Sequence, residues 1–254
     1  MFGFAVPRSL REVVRSFCGI QQASLSNEVP ELEDWQITPF YRPAREVGDD
    51  FYDFFELEEG WLGVVMGDAT DKGVPATLVV SATCSMLRAI AKGLGFSSLG
   101  EVLARVNETL LARIPPKMFV TCFYGILNPK SSRLVYANAG HNLPCCRREN
   151  ATRELKARGM PLGLMPQMSY EAKESALEVG EAVLFYTDGL IEAHNPQGEM
   201  FGMPRLRDIL SKRSEGRKDL SATLMEELYS FVGEGGEQED AITLLMLERS
   251  PTRS

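Results

Sequence analysis

The sequence predicts an α+β fold rather than a doubly wound sheet. Two observations lead there. Strand signals fall in clusters on either side of two successive helices instead of alternating with single helices, which is the pattern of segregated α+β packing. The composition is also that of an ordinary globular protein, with 44% hydrophobic and 24% charged residues over 254 positions, enough to fill a large core.

The elements read in order as follows. Residues 8–18 place Leu10, Val13, Val14 and Phe17 at helical spacing opposite Arg8, Arg11 and Arg15, a short amphipathic helix. Its apolar face is expected to dock on its own domain or on a second copy, giving a homodimer. A polar connector follows, so residues 1–35 form a leader, 36–249 one domain and 250–254 a tail. Trp61–Met66 is a β-rich apolar run ending at Gly67-Asp68. Pro75–Ala91 reads as a long helix closed by Gly93. Ser98 and Glu101 form a capping box opening a helix over 99–113. Met118–Leu127 and Leu134–Ala137 are strands joined by Asn128-Pro129-Lys130. Glu181–Tyr186 is a strand stopped by Asp188-Gly189. Helices start near Pro204 and cover 220–232, and Ala241–Leu247 is the last strand.

Bulk properties exclude several functions. The net charge of −8, from 35 acidic and 27 basic residues, lacks the basic surface of a nucleic-acid binder. Five cysteines without a C-x-x-C pair suggest neither a zinc site nor a disulfide framework, and fit a reducing compartment. Arginines interrupt the N-terminus, unlike a signal peptide. The apolar run Val74–Leu87 is too short and too rich in Ser and Thr to span a bilayer. A cytoplasmic protein with no membrane partner is expected. P-loop, dinucleotide-binding, zincin and nucleophile-elbow motifs are all missing, and two histidines are too few for an imidazole-rich metal site.

What stands out is carboxylates where strands give out: Asp68 after W-L-G-V-V-M-G, Asp188 after A-V-L-F-Y-T, Asp240 before A-I-T-L-L-M-L, and Asp50 and Asp53 in E-V-G-D-D-F-Y-D. A carboxylate beside exposed turn carbonyls suits a hard cation such as Mg²⁺ or Mn²⁺. Singly, each Asp is also ordinary turn chemistry.

Five segments in order carry a resemblance: Glu46-Val-Gly-Asp-Asp-Phe-Tyr-Asp, Gly67-Asp-Ala-Thr-Asp-Lys-Gly-Val-Pro-Ala, Asn138-Ala-Gly-His-Asn, Tyr186-Thr-Asp-Gly-Leu-Ile-Glu-Ala and Glu239-Asp-Ala-Ile-Thr-Leu-Leu. Together they resemble the PPM family of metal-dependent protein phosphatases, and more closely its bacterial sporulation stage-two-E and sigma-regulator branch. The resemblance implies a four-layer αββα sandwich, two central antiparallel sheets flanked by helices, with two divalent cations, Mn²⁺ or Mg²⁺, at one edge. It implies that Asp68 bridges both ions, that the Ala69 carbonyl and Asp50 serve the second, and that Asp188 and Asp240 hold the first. A hydroxide bridging the ions would attack a phosphoserine or phosphothreonine of a regulatory protein, such as a small antagonist of sigma-factor control or a stress-signalling scaffold. A pseudo-phosphatase that only binds phosphoproteins is the alternative. Arg42, Arg45 and Lys72 are candidates to meet the substrate phosphate, and His141 to protonate the leaving oxygen.

Departures from the family pattern are Asp49 where Gly is usual, Asp71 in place of the Gly of Asp-x-Ser-Gly-Lys-Gly, Ala241 in place of a second Asp, and Thr70 where the eukaryotic branch has His. The two extra acids place more negative charge near the ions.

Overall fold

The computed structural model describes residues 29–44, 48–94, 98–212, 220–233 and 240–250. The predicted leader helix, and with it the dimer contact, lies outside those residues. Among the described residues, ten strands form two antiparallel five-stranded sheets. The first is ordered β1 (Trp35–Arg42), β10 (Ile242–Arg249), β9 (Ala182–Tyr186), β6 (Cys145–Arg148) and β7 (Ala151–Glu154). The second is ordered β2 (Asp50–Glu56), β3 (Leu62–Ala69), β4 (Val120–Asn128), β5 (Arg133–Ala139) and β8 (Lys173–Ala176).

Alternation along β9 and β10 shows how the layers arise. Val183, Phe185, Leu245 and Leu247 join the core shared with the second sheet, where Phe185 meets Phe123 edge-on at 5.2 Å. Ala182, Leu184, Tyr186, Leu244 and Met246 face the opposite way, under α4 (Gly202–Ser211) and α5 (Leu220–Val232). Because both faces are covered, these strands read as continuous apolar runs rather than alternating ones. On the second sheet's outer side lie α1 (Val74–Leu94) and α2 (Leu99–Leu111). The result is the αββα sandwich that the resemblance implies.

Three local expectations are corrected. The helix α1 continues through Gly93 to Leu94. At 21 residues it is long and apolar enough, by length and composition, to cross a membrane, yet Val79, Val80, Leu87 and Ala91 are buried against the domain. Ser98 stands at the start of α2 but makes no side-chain cap, and Glu101 instead pairs with Arg105 one turn on, at 2.5 Å.

Candidate metal centre

Strand register assembles the acids. In the antiparallel pair β2–β3, Asp50 stands directly opposite Asp68, and the Ala69 amide donates to the Asp49 carbonyl at 3.1 Å. Carboxylate oxygens of Asp49, Asp50 and Asp68 thus lie within 4.8 Å of one another. The other sheet contributes from its own edge. There β9 gives way to a single helical turn, α3 (Asp188–Ile191), and Asp240-Ala241 leads into β10. Gly189 makes their approach feasible: a Cβ there would sit 2.0 Å from the Ala241 carbonyl oxygen and 3.4 Å from Asp240 Cβ. Across the seam, Lys72 Nζ donates to Asp240 Oδ1 at 2.8 Å.

The electrostatics report a concentrated negative charge. Burial first, and then Asp49, Asp188 and Asp240, push the Asp68 carboxyl up to about 8, with Lys72 opposing. Burial raises Asp188, helped by Asp240. Asp49 is raised in the same way, by burial and then by Asp240 and Asp188. Acids that resist ionising together are stabilised as anions when a dication takes the place of the protons. The donors are carboxylates, the hard oxygen ligands that fit Mg²⁺ or Mn²⁺ chemistry. Asp49, Asp50 and Asp68 stand together at the edge of one sheet, and Asp188 and Asp240 lie close enough from the other to raise Asp68.

Asp50 has a further task. It is 2% exposed, and its Oδ2 accepts hydrogen bonds from Thr187 Oγ1 at 2.7 Å and Thr243 Oγ1 at 2.6 Å. Burial, then Asp68, raises its pKa well above the usual range, while the two hydroxyls lower it. The Thr187 hydroxyl also accepts the Thr243 amide at 3.1 Å. Asp50 therefore ties β2 of one sheet to the ends of β9 and β10 in the other, next to the acids. Sequence reasoning missed both threonines. Their signal was a single threonine in each apolar run, A-V-L-F-Y-T and A-I-T-L-L, since a buried hydroxyl needs a partner.

Asp53 does not join the cluster. It is buried and receives Arg88 from α1 through two bonds, Nη2 to Oδ1 at 2.5 Å and Nε to Oδ2 at 3.3 Å. Its role is to fasten α1 to β2.

His141 is placed as a structural residue. Its backbone is clamped by Asn138, which accepts from the His141 amide at 2.7 Å and donates to its carbonyl at 2.9 Å. The ring Nδ1 lies 2.9 Å from Thr121 Oγ1. Burial lowers its pKa to about 4, partly offset by the Tyr186 backbone, so the ring is neutral near pH 7 and poorly suited to giving up a proton. Thr70 stitches the loop after β3 to the start of β4: its hydroxyl accepts from the Phe119 amide at 2.8 Å and donates to the Phe119 carbonyl at 3.1 Å.

Two departures gain physical reasons. Asp71 has φ 75°, the left-handed region that glycine adopts without strain, and its Oδ1 accepts the Lys72 amide at 2.9 Å. Position 241 is buried at 1% exposure, so Ala241 fits where another carboxylate would be desolvated. Arg42, at the end of β1, lies over the Tyr229 ring at 5.7 Å and lines a cavity with Lys72 and Asp240. Arg45 is outside the described residues.

A two-sheet sandwich with carboxylates converging at one edge of both sheets is the fold of PP2C-type domains. The sequence matches the family described as Stage II sporulation protein E (SpoIIE) over residues 58–250, and the chain belongs to that family. Protein IcfG of Synechocystis sp. is 29% identical over 260 residues, covering 91% of this chain and 40% of that protein. Phosphoserine phosphatase RsbU of Bacillus subtilis is 25% identical over 253 residues, covering 96% of this chain and 72% of that protein. The chain thus spans well under half of the Synechocystis relative. The SiaA PP2C domain of Pseudomonas aeruginosa superposes with a TM-score of 0.80 at 19% identity, covering 95% of this chain and 97% of that one, a likeness of fold.

Proposed function

We propose that the chain is a divalent-metal-dependent protein serine/threonine phosphatase acting on a phosphorylated regulatory protein in sigma-factor or stress signalling. The observation that carries this reading is the meeting of Asp49, Asp50 and Asp68 from one sheet with Asp188 and Asp240 from the other. The similarity to RsbU, a phosphoserine phosphatase by name, supports the reaction class. Two divalent cations, Mn²⁺ or Mg²⁺, held by these acids would neutralise phosphoryl charge and activate water at neutral pH. The protein's part is positional. Asp68 is raised by acids of both groups, while the absence of a side chain at Gly189 lets Asp188 and Asp240 approach each other. Asp50, fixed by Thr187 and Thr243, locks the two sheets in the register that makes the edge. The Lys72 ammonium, beside Asp240, is poised to attract the phosphoryl oxygens.

Hydrolysis of p-nitrophenyl phosphate and of a phosphoserine peptide, with Mn²⁺, with Mg²⁺ and with chelator, tests this. Metal-dependent release of phosphate from both, lost in Asp188→Asn and Asp240→Asn variants that melt normally, is expected. Full turnover under exhaustive chelation would overturn the reading.

A further inference from the structure

Beside the acids, between the end of β1, the α3 turn and α5, lies a cavity of about 220 Å³. Its wall has two characters. Lys72 and Asp240 belong equally to the cavity and to the candidate metal centre, so the two spaces are contiguous. The far wall is apolar, formed by side chains such as Met225, Tyr229 and Ile242. Tyr229 remains 46% exposed and Met225 is only half buried, so apolar surface is left open to a ligand. Arg42 stands on the rim, over the Tyr229 ring at 5.7 Å.

We infer that this cavity is a specificity pocket for an apolar side chain of the protein substrate, a few residues from its phosphorylated serine or threonine. The inference deepens the phosphatase reading and rests on it. With the phosphoryl group at the acids, the neighbouring substrate residues lie at the cavity mouth, because Asp240 walls both spaces. A phosphoserine flanked by serines has no group to place against the apolar wall, whereas a leucine side chain displaces water from it. The charges agree. A phosphorylated segment is anionic and approaches a surface dominated by acids, and the Arg42 guanidinium on the rim offsets that repulsion. Selection by such a pocket adds substrate preference that metal chemistry, common to all phosphomonoesters, does not provide.

The test uses the full chain with Mn²⁺ and phosphoserine peptides in which leucine replaces serine at each position within four residues of the phosphoserine. Phosphate release is measured for each peptide and for p-nitrophenyl phosphate. At one or more positions leucine should raise kcat/KM about tenfold over serine. Filling the cavity with Met225→Trp should lower the ratio of peptide to p-nitrophenyl phosphate kcat/KM by about the same factor and abolish the leucine preference. Tyr229→Ala, which opens the rim, should weaken that preference. Cleavage of p-nitrophenyl phosphate with no leucine preference, or a preference that survives Met225→Trp, overturns the pocket while leaving the phosphatase intact. No cleavage of either substrate type removes the phosphatase reading and this inference together. A Met225→Trp variant that changes oligomeric state by light scattering, with peptide preference unaltered, assigns the cavity to a second copy of the chain and overturns the proposal.

Discussion

Lys72 and Asp240 form an ion pair at 2.8 Å between the loop after β3 and the start of β10, so an ammonium partners one of the acids suited to hold a cation. Both side chains are about a third exposed, and water screens the attraction. In the metal-free state Lys72 opposes the repulsion among the acids. It must yield when a dication arrives at Asp240. Replacing it by an uncharged side chain of similar length, Lys72→Met, is expected to lower the melting temperature of the chelator-treated protein. Calorimetric titration with Mn²⁺ should give an affinity no weaker than native, and tighter by a few-fold. A weaker Mn²⁺ affinity in the variant would mean that Lys72 supports the ions rather than competing with them.

The raised carboxyl of Asp68 gives a pH dependence whose sign can be worked out. Its pKa in the folded, metal-free protein is about 8, against 3.8 for an unperturbed group. The folded state therefore holds a proton that the unfolded chain releases. That contribution is complete below about pH 4 and is lost as pH rises through about 8. Asp49 and Asp188 shift in the same direction. Thermal melts in chelator should fall steadily between about pH 5 and pH 8, and saturating Mn²⁺ should flatten or reverse the trend. A flat profile in chelator would contradict the crowding of charge at this edge.

Asp53 and Arg88 supply a control for specificity. Asp53 is buried, with its side chain 3% exposed, whereas Arg88 is 43% exposed. Arg88→Ala leaves a buried carboxylate without its two charged donors and removes the link from α1 to β2. The expected loss is about 2–3 kcal/mol by chemical denaturation, at the lower end for a broken buried pair because Arg88 already meets water. Metal affinity should be unchanged, since Asp53 stands apart from the acids at the edge. Weakened metal binding at equal foldedness would return Asp53 to the ligand set.

How much of this was legible in the sequence follows from where each signal lies. Strands β9 and β10 could be read because burial on both faces makes their runs apolar throughout. By contrast, β1 carries Pro39 and partly exposed polar positions, tolerable only because it is an edge strand, and it gave no strand signal. The four-residue strands β6, β7 and β8 were too short and charged to stand out. Among the acids, Asp68, Asp188 and Asp240 were marked by strand ends beside turns. Asp53 looked equivalent, and only its partner 35 residues away on α1 distinguishes it. The bonds from Thr187 and Thr243 to Asp50 span 137 and 193 residues, and no local pattern encodes them.

Asp49 and Asp50 are neighbours in sequence but are expected to fail differently. Asp49 is 7% exposed, and it comes directly after burial among the influences that raise Asp68. Its carboxylate thus faces the other acids, and its φ is not positive, so no backbone strain favours glycine there. Asp49→Gly should weaken Mn²⁺ affinity by calorimetry. In chelator the variant should melt close to native, since removing repulsion offsets the added freedom of the unfolded chain, about 0.5–1 kcal/mol. Asp50→Ala is another matter. It strands the hydroxyls of Thr187 and Thr243, both 0% exposed, each costing about 1–3 kcal/mol as an unsatisfied buried group. The variant should lose several kcal/mol even without metal, and adding Thr243→Val should recover part of the loss, with Thr187 kept because its hydroxyl also accepts the Thr243 amide. Equal stability of the two single variants in chelator would show that the threonine clamp does not hold the sheets together. If instead Asp49→Gly bound Mn²⁺ as tightly as native, that carboxylate would have no part in the centre, and Asp50 would have to serve both the clamp and the cation.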